Sequence, residues 1–145
     1  MTHTLAPRPD TRSRWRRLQA PALVAVALLG VSVALHLRDP HNEGSWGLCP
    51  WLTLTGTYCP GCGGLRAVND LTHGDLAGAA SSNLLLVGAL PVLGWWWLRT
   101  MTDAWRGVRR QLDERAAFLA AGVVLGLAVV FWVVRNLPFA TWLTP

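Results

Sequence analysis

Hydrophobic positions along this chain fall in long unbroken runs. They show neither the strict alternation of a half-buried strand nor the three-and-four spacing of a soluble amphipathic helix. Leu18 to Leu37 is nearly pure apolar, and about 20 residues rising about 1.5 Å each match a hydrocarbon core of about 30 Å. Two further runs, Leu76 to Leu98 and Ala116 to Val134, have the same character. The pattern predicts an all-α membrane protein with three transmembrane helices over about 18–37, 76–98 and 116–134. Residues 1–17 are then expected to be a disordered basic tail and residues 18–145 a single three-span domain.

Polar positions sort into the connections between the runs. Arg38 to Asp75 opens with turn formers (Asp39, Pro40, Asn42, Glu43, Gly44) and carries Trp46 and Trp51, amphipathic rings of the kind that settle at headgroup depth. Within it, Gly64 to Thr72 sets Leu65, Val68 and Leu71 along one side, which suits a short interfacial helix. Thr100 to Arg115 has Trp105, Val108 and Leu112 at similar spacing and reads as a second amphipathic helix on a membrane face. Inside the runs, Pro21 is placed in a first helical turn, Pro91 is expected to kink the second span, and Gly122 and Gly126 offer a spacing at which another helix can approach. Asn83 is the costly residue of the second span and is expected to face other helices or the loop above it. Arg135, Asn136 and Pro138 end the third span.

Composition changes the picture mainly through charge. Hydrophobic residues make up 52% of the chain, and its formal net charge of +5 carries thirteen cations that are all arginine. Those arginines flank apolar runs, so they act as topology signals and no nucleic-acid partner is expected. Five lie in the tail (Arg8, Arg12, Arg14, Arg16, Arg17) and five in the second connection (Arg99, Arg106, Arg109, Arg110, Arg115); only Arg38, Arg66 and Arg135 lie in the other exposed segments. The bias predicts a cytoplasmic N-terminus, an extracytoplasmic cysteine loop over 38–75 and an extracytoplasmic C-terminus. Ser32-Val33-Ala34 resembles a cleavage site, but the apolar run continues past it, so the first run is read as a signal anchor.

All three cysteines lie in the first connection. Cys59-Pro60-Gly61-Cys62-Gly63 has the form of a zinc knuckle, with Cys49 as a third ligand and His41, His73 or His36 as a fourth. The same atoms suit a thiol-disulfide pair ahead of a helix start, or a structural disulfide from Cys49 to Cys59 or Cys62 that leaves one thiol over. Metal staple, disulfide staple and redox pair therefore all stand, with zinc the candidate cofactor. Arg66, Asn69, Asp70, His73 and Asp75 read as a solvated face of the interfacial helix. No Ser/His/Asp triad, phosphate loop or carboxylate pair can be assembled, and catalysis is not the expected role.

The stretch CPWLTLTGTYCPGCGGLRAVNDLTHGDLAGAASSN resembles the bacterial domain of unknown function 2752 membrane-protein family. The matching residues are Cys49 and Pro50, Gly56, Cys59, Pro60, Cys62, Gly63, Arg66 and Ala67, Gly74 and Asp75, Ala80 and Asn83. Leu84 stands where many members have proline. The resemblance implies a small integral protein of a bacterial plasma membrane and implies no activity. The expected role is to present a cysteine-stapled outer loop, above the lipid bilayer, to a membrane-protein partner or to another copy of the chain. Thiol-disulfide exchange or metal handling by the CPGC pair is the alternative. Arg66, Asp75, Asn83, Gly56 and Gly63 are the candidates for holding or presenting that loop.

Overall fold

The computed structural model describes residues 8–42, 46, 49–110 and 113–144. Three long helices dominate it: α1 (Arg14–Leu37), α4 (Leu76–Arg106) and α5 (Glu114–Arg135), each long and apolar enough to cross a membrane. Between α1 and α4 lie two short helices, α2 (Pro50–Thr55) and α3 (Gly64–Thr72), and a 3-10 turn, Thr141–Leu143, follows α5. Two-residue strands β1 (Arg8–Pro9) and β2 (Val108–Arg109) pair antiparallel. This is the expected all-α architecture, with three helices able to span a bilayer and short helices in the cysteine-bearing connection.

Local signals account for the ends of these helices. Asp75 caps α4, its Oδ1 accepting the Gly78 N–H at 2.8 Å, and Asp113 caps α5 by accepting from the Arg115 N–H at 3.2 Å. Gly56 closes α2 at φ 69° and Gly107 closes α4 at φ 74°, a left-handed conformation that glycine adopts without steric cost.

Several expected boundaries move. Arg14 to Arg17 form the first turn of α1, and Arg8–Pro9 pair with β2, so this part of the expected tail is structured. Met1 to Pro7 lie outside the described residues. Because α1 starts early, Pro21 sits well inside it and not in its first turn, and the Trp97 indole N–H donates to the Pro21 carbonyl at 3.1 Å. The interruption of α4 is at Asn83 (φ −158°, ψ 89°), whereas Pro91 lies within regular helix. The expected amphipathic helix over the second connection does not form as a separate element. Its first residues extend α4 to Arg106, and Val108 belongs to a strand; Leu112 lies outside the described residues, as do Glu43 and Gly44. Among the described residues, no neighbouring atom lies within 4 Å of a Cβ added at Gly122 or Gly126, so neither packs against another described helix.

Burial is concentrated at one end. Leu35, Cys62, Ala67, Ala79, Phe131, Ala140 and Leu143 are the buried hydrophobic residues, and all lie where the cysteine connection, the C-terminal end of α1, the start of α4 and the end of α5 meet. Leu35 and Phe131 apart, the three long helices leave most of their leucines and valines exposed, the surface that hydrocarbon covers in a bilayer. At the opposite end the arginine-rich segments meet. Arg14 lies 4.7 Å over the Trp105 ring, Arg17 donates to the Asp10 carbonyl at 3.1 Å, and Arg110 pairs with Asp103 at 2.6 Å.

Candidate metal-thiolate site

The cysteine site is built by three short pieces of backbone. Cys49 is the residue just before α2, with Pro50 at the first helical position, where its missing N–H costs nothing. Cys59 and Cys62 lie on successive tight turns, closed by Cys62 N–H to Cys59 carbonyl at 3.1 Å and Gly64 N–H to Gly61 carbonyl at 3.0 Å. Gly63, at φ 77°, then turns the chain into α3. The result brings the sulfurs together: Cys59 to Cys62 at 3.0 Å, Cys62 to Cys49 at 3.2 Å, and Cys49 to Cys59 at 3.6 Å. All three are free thiols, and Cys62 is buried.

The turn is fastened by side chains from the second and third long helices. Asn83 donates from Nδ2 to the carbonyls of Pro60 (2.9 Å) and Cys62 (3.1 Å), while its Oδ1 accepts the Leu86 N–H at 2.9 Å. One amide thus holds the cysteine turn and caps the helix that restarts after its own break. Arg135, 1% exposed, donates from Nη1 to the carbonyls of Cys59 (2.9 Å) and Cys62 (3.0 Å), and from Nη2 to Leu143 (3.0 Å). Next to it Asn136 exchanges two 2.9 Å hydrogen bonds with the backbone N–H and carbonyl of Tyr58.

The electrostatics of the site are uneven. The Leu52 backbone N–H directed at Cys49 sulfur holds that thiol below its ordinary range. Burial pushes Cys62 up to about 12. Arg135 meets only carbonyl acceptors, and no carboxylate pairs with it among the described residues. A buried guanidinium without a carboxylate partner is costly; the Phe131 ring at 4.9 Å and the Tyr58 ring at 5.7 Å offset part of that cost, and negative charge on the sulfurs whose backbone it holds would offset more.

Not every expected site residue comes to the sulfurs. Among the described residues, Cys49, Cys59 and Cys62 are the group whose ligand atoms gather closely enough for one metal ion. His41, His73 and His36, the alternatives expected for a fourth ligand, instead line a depression of about 320 Å³ together with three aspartates. Arg66 reaches the Pro40 carbonyl at 3.4 Å, and Asp75 and Gly56 serve as helix caps. Sequence reasoning missed Arg135, Asn136 and Tyr58. The available signal was a charged residue and an amide at the edge of an apolar run, which also describes an ordinary span end.

Residues 49–97, about a third of the chain, match the family described as "Protein of unknown function (DUF2752)". The matched stretch begins at the first cysteine and spans Cys59, Cys62 and Asn83. No curated protein and no solved structure matches the chain.

Proposed function

We propose that this membrane protein binds a thiophilic metal ion of the zinc class through Cys49, Cys59 and Cys62, on the outer face of a bacterial plasma membrane. Metal binding fastens the loop for assembly with a membrane partner or a second copy of the chain. The observation that carries the reading is the convergence of three free sulfurs on a turn whose carbonyls are held by a buried, carboxylate-free guanidinium. Tetrahedral zinc with Zn–S near 2.3 Å sets its sulfurs about 3.8 Å apart, so an ion would widen the present triangle by a few tenths of an ångström at its longest edge and somewhat more at the others. Three thiolates and a divalent ion carry a net single negative charge, which Arg135 balances. Three protein ligands leave a fourth position open, where a partner group or water completes the shell.

Metal analysis with thiol counting tests this on protein purified without chelator. The expected result is one thiolate-bound metal ion per chain, three thiols protected until chelator is added, and loss of that ion in Cys49→Ser. The 3.0 Å approach of Cys59 to Cys62 supports the second reading, thiol-disulfide exchange. Metal-free protein with a Cys59–Cys62 disulfide that equilibrates between about −270 and −120 mV, unaffected by Cys49→Ser, would replace the metal reading with that one.

A further inference from the structure

We propose that the arginine-rich end of the molecule is a docking surface for anionic phospholipids, whose headgroup phosphates are held by Arg16, Arg99, Arg106 and Arg115. Residues 9–17 and 99–115 carry nine arginines against four carboxylates. The two segments are far apart in sequence and are fastened to each other. β1 pairs with β2, the Asp10 N–H donates to the Gly107 carbonyl at 2.8 Å, and Arg14 lies 4.7 Å over the Trp105 ring. Cations gathered in this way repel one another, and anions beyond the chain's own carboxylates relieve that repulsion.

Partners within the chain divide the arginines into two groups. Arg12 and Arg110 pair with Asp10 and Asp103 at 2.7 and 2.6 Å, Arg17 donates to the Asp10 carbonyl at 3.1 Å, and Arg14 has the Trp105 ring. Arg109 lies in the field of Asp10, and Asp113 is taken up in capping α5. The second group is different. Among the described residues, no hydrogen bond, ion pair or ring contact engages the side chains of Arg16, Arg99, Arg106 or Arg115, and all four are exposed. Glu114 is the carboxylate of this end left to balance them.

Their placement matches a lipid headgroup better than a soluble anion. Arg16, Arg99 and Arg115 each border an apolar run, one on each long helix, so all three meet a bilayer at phosphate depth. Trp15, Trp95, Trp96 and Trp105 are exposed at the same end, and exposed indoles settle at that depth. A guanidinium aims two parallel N–H donors at two phosphate oxygens and is weakly hydrated, which suits pairing at an interface. Setting the orientation of the chain needs only the sign of the charge. Unpaired guanidinium forks at phosphate depth also hold the lipid, each cation contributing about fivefold to its affinity.

The experiment is native mass spectrometry of the full chain in nonionic detergent supplemented with equal amounts of phosphatidylglycerol and phosphatidylcholine of the same acyl chains. The expected result is that the parent retains phosphatidylglycerol over phosphatidylcholine by about tenfold or more. Arg16→Gln/Arg99→Gln should lower that preference by at least about fivefold, while Arg38→Gln/Arg66→Gln, which removes the same charge from the other end, should leave it within about twofold. No preference in the parent, or an equal loss in both variants, overturns the proposal. Displacement of bound phosphatidylglycerol by inorganic phosphate would mark a site for free anions and overturns the lipid assignment. Thermal unfolding in phosphatidylcholine nanodiscs checks that the variants are folded. If Arg16→Gln/Arg99→Gln is not, salt decides on the parent: raising ammonium acetate from about 0.05 to about 0.5 M should cut the preference several-fold, and a constant preference overturns the proposal.

Discussion

Asn83 and Arg135 approach the same turn from different helices, and the Cys62 carbonyl accepts from both. Asn83→Leu removes three hydrogen bonds and leaves the Pro60 carbonyl without its donor, so thermal unfolding in detergent should show a loss of about 1–3 kcal/mol. Asn83→Asp keeps the acceptor for Leu86 but sets a buried carboxylate oxygen against the Pro60 and Cys62 carbonyls, and should lose at least as much stability as the leucine variant. A leucine variant as stable as the parent would remove Asn83 from the list of structural anchors. Proton linkage distinguishes the cysteines themselves. With Cys49 held low by the Leu52 N–H and Cys62 pushed up to about 12 by burial, metal-free protein near neutral pH should be alkylated at Cys49 well before Cys62. Cys62 stays protonated through the physiological range, so a metal ion must displace its proton, and affinity should rise about tenfold per pH unit for that proton alone. Titrations one pH unit apart that agree within error would mean Cys62 is not a ligand. Asn83 was legible in sequence because an amide inside an apolar run has few uses; Arg135 was not, because an arginine at a span end normally reaches for water.

At the scale of elements, the break in α4 makes a prediction that no propensity argument supplies. Asn83 is the cap of the helix that restarts behind it, which puts Leu84 at a first helical position, where a proline lacks only an N–H that has no helical partner. The extended backbone at Asn83 also suits a residue that precedes proline. Leu84→Pro should therefore unfold within about 1 kcal/mol of the parent, whereas Ala89→Pro, inside the restarted helix, should cost about 3 kcal/mol or more. A large loss in both would show the break to be absent in the folded protein. The three long helices and α3 were legible because their requirement is local: enough apolar residues in a row, or leucines on one side of a short segment. The site of the break was not, since Pro91 carries the usual local signal while Asn83 breaks the helix through bonds to carbonyls 21 and 23 residues away. The same holds for the second connection, where pairing of β2 with residues 8–9 overrides a helical spacing.

Over the whole molecule, the chain runs up, down and up, with polar packing at one end and arginines at the other. The cysteine turn, α3 and the Thr141–Leu143 turn share the packed end, while β1, β2 and Gly107 meet at the arginine-rich end. Length and hydropathy were enough to read three spans, but not to place the histidines away from the sulfurs, because that separation depends on how α1 and α3 pack. An odd number of crossings puts the two termini on opposite sides whichever way the protein inserts, and tags on the two ends should report that. Orientation is a separate matter, decided by the clustered cations: Arg12, Arg14, Arg16 and Arg17 beside Arg106, Arg109 and Arg110 should keep their end in the cytoplasm. In Cys59→Ser/Cys62→Ser, the remaining Cys49 should then be labelled by an impermeant thiol reagent on intact cells. Labelling only after lysis would mean that the chain inserts the other way and that the thiol site faces the cytoplasm. In that compartment thiols stay reduced and a structural disulfide is disfavoured, leaving metal as the staple. Replacing Arg106, Arg109, Arg110 and Arg115 with glutamine supplies the control. If charge sets the orientation, that variant should show a smaller labelled fraction than its parent, and an unchanged fraction would mean that the first span alone directs insertion.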